Sequence, residues 1–476
     1  MKAATRAVFP FWFCVLVLVA QLPVQGEVGK GTEKKQIILF SFDDFRGDHL
    51  NAYGYSRDTS PCLSALAKDA AYYKNAYPNG NWTIPSHISL LTGMLPSRHG
   101  VNQGSSAYQD KKGAGLSDSI QTLAEVFHAM KVKTLKASYL PAALGFNRGF
   151  DLVMSADPFG DEKRFGRLLK MIGDHKNGDF FLFIHTGMAH APYTYSRFLG
   201  RDRLSAEKRK KIDGFRDMHR GKSNIDLVSA FNAYLKEADL FNADDCQALY
   251  DGGIRYVDGY IGRLVESLKA LGIYDRAMFV MVSDHGEHFG EHYPAEFCNH
   301  HGQDFYEEFL KIPLIFKYPH TAAREVIADP ASMIDVMPTI LDYYGIAFPP
   351  YIQGESLWRK KRRDRVIVAE ATILGKGVER KMILSGGFKY IITMQDTDPR
   401  FRINWKKVSE RRLFHLPSDP REKTDLSKNP KYIQTGNRLE KMLKEIIRQS
   451  AAANFKRKEG VMDKKTLELL KTLGYL

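Results

Sequence analysis

Residues 81–93 read NWTIPSHISLLTG, and the functional assignments along the chain depend on this stretch. A threonine precedes a proline by two positions, and apolar residues at helical spacing follow at once. This pattern predicts a helix with Thr83 as its N-cap and Pro85 in its first turn. The N–H groups and the positive dipole end at a helix start can hold a tetrahedral anion and help a hydroxyl to lose its proton. Thr83 is therefore a candidate nucleophile, although most capping threonines only stabilise their helix.

Two other stretches place metal-ligand residues at the ends of predicted strands. The apolar run IILFSF ends in Asp43 and Asp44, and a second run, AMFVMVS, ends in Asp284 and His285. In open α/β sheets, ligands bind beyond the carboxyl ends of the strands. We therefore expect these four side chains to converge at one edge of a sheet, beside Thr83.

Short motifs along the chain resemble those of the sulfatase family of the alkaline-phosphatase superfamily, in the same order. They are FDD at 42–44, NAYGY at 51–55, PSH at 85–87, LPSRHG at 95–100, HAPY at 190–193, SDHGE at 283–287, GEH at 290–292, YEE at 306–308, IPLI at 312–315, IDVMPTI at 334–340 and LGY at 473–475. Each motif alone is weak, but their order and spacing cover almost the whole chain. The resemblance implies an ester hydrolase.

The order of predicted elements indicates an α/β fold. Between residues 35 and 348, apolar strand-like runs alternate with helical stretches, including one at 64–73. This alternation predicts a large, mostly parallel sheet sandwiched by helices, as in alkaline phosphatase. Prolines and a basic run interrupt the pattern at 349–365, and short strands follow. We predict a signal peptide at 1–26, a sulfatase-like catalytic domain at 27–348, and a C-terminal subdomain at 349–476 with a small antiparallel sheet and terminal helices.

The first 26 residues have the organisation of a secretory signal. Lys2 and Arg6 precede an apolar run at 8–20, and small residues follow at 24–26. We expect an exported protein, periplasmic or extracellular, with no stable membrane span after signal removal. An uncleaved anchor is the alternative, although the run is shorter than the roughly 18 residues of a spanning helix.

Composition and charge narrow the range of partners. The chain of 476 residues is 44% hydrophobic and 26% charged, which is typical of a folded protein and excludes general disorder. Its net charge of +14 is concentrated in two basic runs, at 208–211 and 359–363, without a nucleic-acid-binding motif. We predict no nucleic-acid partner. Both runs are typical of solvated surface, and the first could also recruit an anionic substrate.

The resemblance implies that one divalent metal ion is held by Asp43, Asp44, Thr83, Asp284 and His285. Three carboxylates and an imidazole suit calcium, magnesium or manganese, and zinc is not excluded. Such an ion lowers the pKa of a coordinated hydroxyl and neutralises charge on a phosphoryl or sulfuryl group.

Histidines complete the implied catalytic set. His190 matches the family histidine that contacts the ester and protonates the leaving group. His301 lies where Thr-type relatives place a substrate-binding histidine, and His300 is the alternative by one step. His87, four residues after Thr83, is assigned to positioning or charge stabilisation, and His185 to a structural role.

The chain departs from the family at the nucleophile. Sulfatases usually carry Cys or Ser at the position of Thr83, converted to formylglycine, and Arg at the position of His87. Threonine has a methyl group on Cβ and cannot become an aldehyde, and a sulfated threonine lacks the geminal hydroxyl through which formylglycine expels sulfate. Water can attack the phosphorus of a phosphothreonine directly. The usual Gly-Lys-x-His-x-Gly motif is also absent from 131–150.

These features predict an exported, metal-dependent hydrolase of phosphate, phosphonate or sulfate esters that acts through a covalent Thr83 intermediate, with the phosphate class favoured. The expected substrate is an anionic ester, and a glycan or a lipid headgroup is the candidate for its organic part. Two alternatives are an extracytoplasmic transferase of phospho-headgroups and a glycan-binding pseudoenzyme. The sequence carries no signal for the oligomeric state.

Overall fold

The computed structural model describes residues 34–101, 112–195, 204–218, 230–231, 234, 242–293, 304–322, 324–358, 364–373, 378–395, 405–453, 455 and 458–461. The predicted signal at 1–26, the basic run at 359–363, and His300 and His301 lie outside these residues.

Sixteen strands are present in the described part of the chain. They are β1 (Gln36–Phe42), β2 (Ala71–Tyr73), β3 (Ala76–Tyr77), β4 (Lys112–Gly115), β5 (Lys133–Ala137), β6 (Leu152–Met154), β7 (Phe180–Thr186), β8 (Met278–Ser283), β9 (Leu314–Lys317), β10 (Glu325–Ile327), β11 (Ala331–Ser332), β12 (Ile367–Ile373), β13 (Val378–Ser385), β14 (Phe388–Gln395), β15 (Val408–His415) and β16 (Lys458–Val461).

Ten α-helices accompany these strands among the described residues. They are α1 (Pro61–Leu66), α2 (Thr83–Thr92), α3 (Pro96–His99), α4 (Leu123–Ala129), α5 (Glu162–His175), α6 (Ala206–Met218), α7 (Ala243–Ala270), α8 (Glu307–Leu310), α9 (Val336–Tyr343) and α10 (Ile433–Ala452). Short 3₁₀ helices connect several of these elements.

The largest sheet has eight strands in the order β10-β2-β9-β8-β1-β7-β5-β6. Strand β1 is central and pairs in parallel with both β7 and β8. Strand β9 runs antiparallel to its neighbours β8 and β2, and the other pairings are parallel. The predicted α/β class with a large, mostly parallel sheet is therefore confirmed.

Helices cover both faces of this sheet because successive side chains of a strand point to opposite sides. Ile38, Phe40 and Phe42 of β1 enter one apolar core, which includes residues of α1, α5, α6 and α7. Ile37 and Leu39 enter a second core on the opposite face, which includes residues of α2, α4 and α9. Strands buried on both faces explain why the sequence reads as continuous apolar runs rather than as alternating ones.

The C-terminal sheet is the expected antiparallel one, with strands in the order β12-β13-β14-β15. One face packs on α10, and the other packs on a segment that includes Phe305 and Phe309. Strand β16 returns to the predicted catalytic domain and pairs with β4. No described helix has the length and hydropathy needed to span a membrane.

One predicted element is wrong in its second half. The helix expected at 64–73 is an α-helix only over Pro61–Leu66, and Ala71–Tyr73 forms strand β2. Residues 71–73 pair with β9 and β10, which come more than 200 positions later. These long-range pairings override the local helical pattern.

Candidate active site

Two adjacent strands bring the predicted carboxylates together. Phe42 at the end of β1 pairs with Ser283 at the end of β8, so the residues that follow them are neighbours. The amide of Asp284 donates to the carbonyl of Phe42 at 3.1 Å. Asp43 and Asp284 are both fully buried. The C-terminal edge of the central strands thus carries two carboxylates side by side.

Asp44 turns back toward this pair through its backbone. Its φ of +67° lies in the left-handed region, which few residues other than glycine adopt. This conformation lets the Asp44 amide donate to Asp284 Oδ1 at 3.2 Å. Asp44 Oδ1 lies 2.8 Å from His285 Nδ1. Asp43, Asp44 and His285 form a buried group whose ligand atoms lie within 4.8 Å of one another, which could hold a metal ion.

A backbone hydrogen bond fixes the orientation of His285. Its Nδ1 lies 3.0 Å from the carbonyl of Gly286, and because a carbonyl only accepts, Nδ1 must carry the proton. In the neutral imidazole, Nε2 then carries the lone pair. Nε2 lies 3.6 Å from Asp43 Oδ1 and 3.5 Å from Asp284 Oδ2. This arrangement is typical of a metal-binding histidine.

The electrostatics of the carboxylates suit a cation between them. Burial, followed by the charge of Asp43, raises the pKa of Asp284 well above its usual range. Burial, with the charges of Glu287 and Asp43, does the same to the pKa of Asp44. Asp284 Oδ2 is fully buried and accepts no hydrogen bond from any described residue. Close carboxylates and an orphaned oxygen fit a hard divalent ion.

Thr83 lies beside this group, at the start of α2. Its hydroxyl donates to Asp43 Oδ1 at 3.3 Å, and the side chain is fully buried. The predicted N-cap assignment is wrong by one residue, because Thr83 is the first residue of the helix and Trp82, with extended backbone, precedes it. In this first helical position, the Thr83 hydroxyl contacts Asp43.

His87 is a neutral residue behind Thr83. Its Nδ1 must donate to the Thr83 carbonyl at 2.8 Å, so its Nε2 accepts from the Ser41 hydroxyl at 2.8 Å. Burial first, and then the neighbouring charge of His185, lowers the pKa of His87 well below its usual value. A neutral ring with both nitrogens engaged orients the start of α2 and supplies no positive charge.

His190 lies on the opposite side of Asp44. Its Nδ1 donates to the carbonyl of Ala191 at 2.7 Å, and its Nε2 is 3.7 Å from Asp44 Oδ2. Burial alone would lower the pKa of His190, but the charges of Asp44 and Asp43 raise it above its usual value. These charges favour the protonated form of His190.

Three side chains lie close to the site although the sequence analysis assigned them no role in it. Tyr139 donates its hydroxyl to Asp43 Oδ2 at 3.0 Å. His185, which the sequence assigned to a structural role, has its Nε2 3.6 Å from the same oxygen. Buried Glu287 accepts from the Tyr193 hydroxyl at 2.5 Å. Glu287 is the last residue of the SDHGE motif, so its position was a usable signal. No sequence signal marked Tyr139, because the Gly-Lys-x-His-x-Gly motif of the family is absent from residues 131–150.

The first basic run is engaged locally on α6. Lys208 lies 2.6 Å from Asp245, and Lys211 lies 3.1 Å from Glu207. Arg209 donates to the carbonyl of Leu204. These contacts favour a role in attaching the helix over recruitment of substrate.

Known proteins share both the sequence pattern and the fold. The family model "Sulfatase" matches residues 35–346. The chain belongs to the sulfatase family. An ulvan-active sulfatase of Formosa agariphila is 23% identical, over 93% of this chain and 80% of that protein. An arylsulfatase of Clostridium perfringens is also 23% identical, over 86% of this chain and 94% of that protein.

A solved structure with the same fold is the phosphonate monoester hydrolase of Agrobacterium radiobacter. Its TM-score is 0.64 at 17% identity, over 88% of this chain and 96% of that one. Sulfatase-family membership makes this chain a hydrolase of sulfuric or phosphoric esters. The range matched by the family model, residues 35–346, contains Asp43, Thr83, His190 and Asp284.

Proposed function

We propose that this sulfatase-family protein is a metal-dependent hydrolase that cleaves phosphate or phosphonate esters, in preference to sulfate esters, through a covalent intermediate on Thr83. The observation that carries the proposal is the contact between the Thr83 hydroxyl and Asp43 Oδ1. It places a hydroxyl nucleophile at the edge of a buried group of metal-ligand residues.

Asp43, Asp44, Asp284 and His285 would hold the ion, with the Thr83 hydroxyl facing it. Their oxygen-rich set suits calcium, magnesium or manganese, and zinc also accepts these ligands. When bound, the ion supplies positive charge that favours the deprotonated form of Thr83 and the anionic transition state.

The reaction has two halves, in which Thr83 is the nucleophile and His190 is first the acid and then the base. The Thr83 hydroxyl gives its proton to solvent, Oγ1 forms a bond to phosphorus, and the bond to the leaving oxygen breaks. The His190 imidazolium gives its proton to that oxygen. In the second half-reaction, neutral His190 takes a proton from the attacking water, the Thr83–phosphorus bond breaks, and Thr83 recovers its proton. The net reaction consumes one water and releases an alcohol and the acid.

The chemistry of threonine supports the phosphate class. A sulfothreonine has no second hydroxyl on its carbon with which to expel sulfate, whereas water can attack the phosphorus of phosphothreonine directly. The fold is shared with a phosphonate monoester hydrolase and with a sulfatase, so it is compatible with both ester classes. The similarity to an ulvan-active sulfatase supports a glycan as the organic part of the substrate.

Purified protein assayed on matched nitrophenyl esters tests the proposal. The substrates are a phosphate monoester, a phosphate diester, a phosphonate and a sulfate, each with magnesium, manganese, calcium or zinc. We expect a phosphorus ester to be turned over fastest. We also expect acid quenching to trap a phosphoryl adduct on the peptide that contains Thr83. Faster turnover of the sulfate ester by the unmodified protein would refute the phosphate preference.

Export remains a prediction from residues 1–26. N-terminal sequencing of the secreted protein should find a start near Glu27. Retention of residues 1–26 in a membrane fraction would instead indicate an anchor.

A further inference from the structure

The two oxygens of Asp43 face different surroundings. Oδ1 accepts from the Thr83 hydroxyl and lies 3.6 Å from His285 Nε2, on the side of the proposed ion. Oδ2 accepts from the Tyr139 hydroxyl at 3.0 Å. His185 Nε2 lies 3.6 Å from Oδ2.

Several contacts hold Tyr139 in this position. Its ring packs against His185, with ring centroids 4.7 Å apart. A Cβ at Gly187 would lie 2.2 Å from the Tyr139 hydroxyl, so only glycine leaves room for that oxygen. Buried Lys136 donates to the carbonyl of Leu140 at 2.8 Å and to Asn147 Oδ1 at 2.8 Å, which anchors the segment that carries Tyr139.

We propose that Tyr139 is a positioning residue that restricts Asp43 to one ligating oxygen and so biases the site against calcium. The inference rests on the proposed metal-dependent function and deepens it. An oxygen that accepts a phenolic proton has one of its two lone pairs and part of its negative charge engaged, which makes it a weaker metal ligand and the carboxylate a poorer bidentate one. The bond from Tyr139 is the shorter of the two that Asp43 accepts, at 3.0 Å against 3.3 Å from Thr83. Calcium takes about six to eight oxygen ligands and often binds carboxylates through both oxygens, whereas magnesium requires a near-octahedral set of about six.

The test is the metal affinity of Tyr139→Phe, measured by calorimetry on the full chain without substrate. We use calcium and manganese as the two probes and compare the ratio of their Kd values with that of the wild type. We expect the ratio to shift toward calcium by roughly tenfold, within the range found for residues that hydrogen-bond metal ligands. Gly187→Ala, which displaces the hydroxyl without removing it, should shift the ratio in the same direction.

Tyr390→Phe is the matched control. Tyr390 donates to Glu440 Oε2 at 2.7 Å in the C-terminal sheet, so this variant also removes a phenol–carboxylate hydrogen bond, but one away from the site. Its Kd ratio should equal that of the wild type.

The outcomes separate this inference from the proposed function. If wild type binds both ions, Asp284→Asn abolishes binding, and Tyr139→Phe leaves the ratio unchanged, the role of Tyr139 is overturned while the proposed function stands. If wild type binds neither ion in a manner that depends on Asp284, the metal-dependent function and this inference fail together. A shift toward manganese would overturn the inference alone.

Discussion

Two of the regions that bury carboxylates balance their charges differently. In the C-terminal sheet, Glu370 lies 2.5 Å from Lys381. At the edge of the large sheet, the described ion pairs of Asp43 and Asp284 involve histidines only. Side chains in both regions are fully buried. The two regions are therefore equally buried. They differ in that the C-terminal sheet has a lysine beside its carboxylates.

The pKa directions express the same difference. Burial alone would lower the pKa of Lys381, but the charges of Glu370 and Glu379 raise it, so the lysine stays charged between them. Burial and the neighbouring Asp43 raise the pKa of Asp284, so its ionised form lacks compensation. A buried carboxylate that is paired with a lysine has its charge balanced within the protein. Carboxylates gathered without one are suited to a ligand that brings positive charge.

Loss of the nucleophile should give the largest effect. We expect Thr83→Ala to reduce turnover of the preferred ester by at least about 10³-fold, the scale seen when a covalent nucleophile is removed. Folding stability should fall by only about 0.5–3 kcal/mol. Thr83→Ser should retain activity. Thr92→Ala, which removes a buried hydroxyl from the same helix, should also remain active. Full activity of Thr83→Ala would exclude covalent catalysis at the large-sheet edge.

Neutralising one charge in each region should have opposite consequences. Lys381→Met leaves two glutamates buried without their cation, so we expect a loss of about 3–5 kcal/mol in the free energy of unfolding. Its manganese affinity should not change. Asp284→Asn removes a charge that repels its neighbours, so the ion-free protein should be at least as stable as wild type. Its manganese affinity should fall by at least roughly 100-fold.

Urea unfolding with a chelator and calorimetry with manganese measure both quantities. If Asp284→Asn destabilised the ion-free protein as strongly as Lys381→Met does, the two regions would not differ in the way described.

Lys136 is the converse of the buried carboxylates, because it is a buried lysine whose described partners are neutral oxygens. Burial lowers its pKa from 10.5 to about 7. Between these values the unfolded chain binds more protons than the folded one, so stability should rise with pH above about 7. The burial of Lys136 costs stability while the lysine is charged, and this cost falls by up to about 2.7 kcal/mol between pH 7 and pH 9, at about 1.36 kcal/mol per unit. Below pH 7 both states bind the proton and Lys136 adds no slope.

Thermal or urea unfolding across this pH range measures the slope. Lys136→Met should remove the rise, whereas Lys170→Met, which removes an exposed lysine of α5, should keep it. An unchanged slope in Lys136→Met would show that other groups cause the pH dependence.

Local sequence patterns predicted the parts of the site that depend on strand ends. Asp43 and Asp284 follow apolar runs, and the parallel pairing of β1 and β8 brings them together. Thr83 was placed within one residue because proline and apolar spacing mark a helix start. The metal-ligand and catalytic roles of these residues, and of His301, remain predictions.

The rest of the site depends on contacts between distant segments. Tyr139 approaches Asp43 across 96 positions, and its place depends on the absence of a side chain at Gly187. The structural role of His185 remains a prediction, and its approach to Asp43 could not be foreseen because a histidine within a buried strand gives no sign of its distant neighbours. Strand β2 was missed for a similar reason, since its partners lie far along the chain.

The central position of β1 affects how an ion could leave the protein. All seven residues of this strand are buried, and each edge is paired with a parallel neighbour. Segments of this kind exchange their amide hydrogens only when the whole molecule unfolds. Local fraying therefore cannot carry Asp43 away from Asp284. An ion held between them would therefore depart at a rate set by its ligands, independent of fluctuations of the sheet.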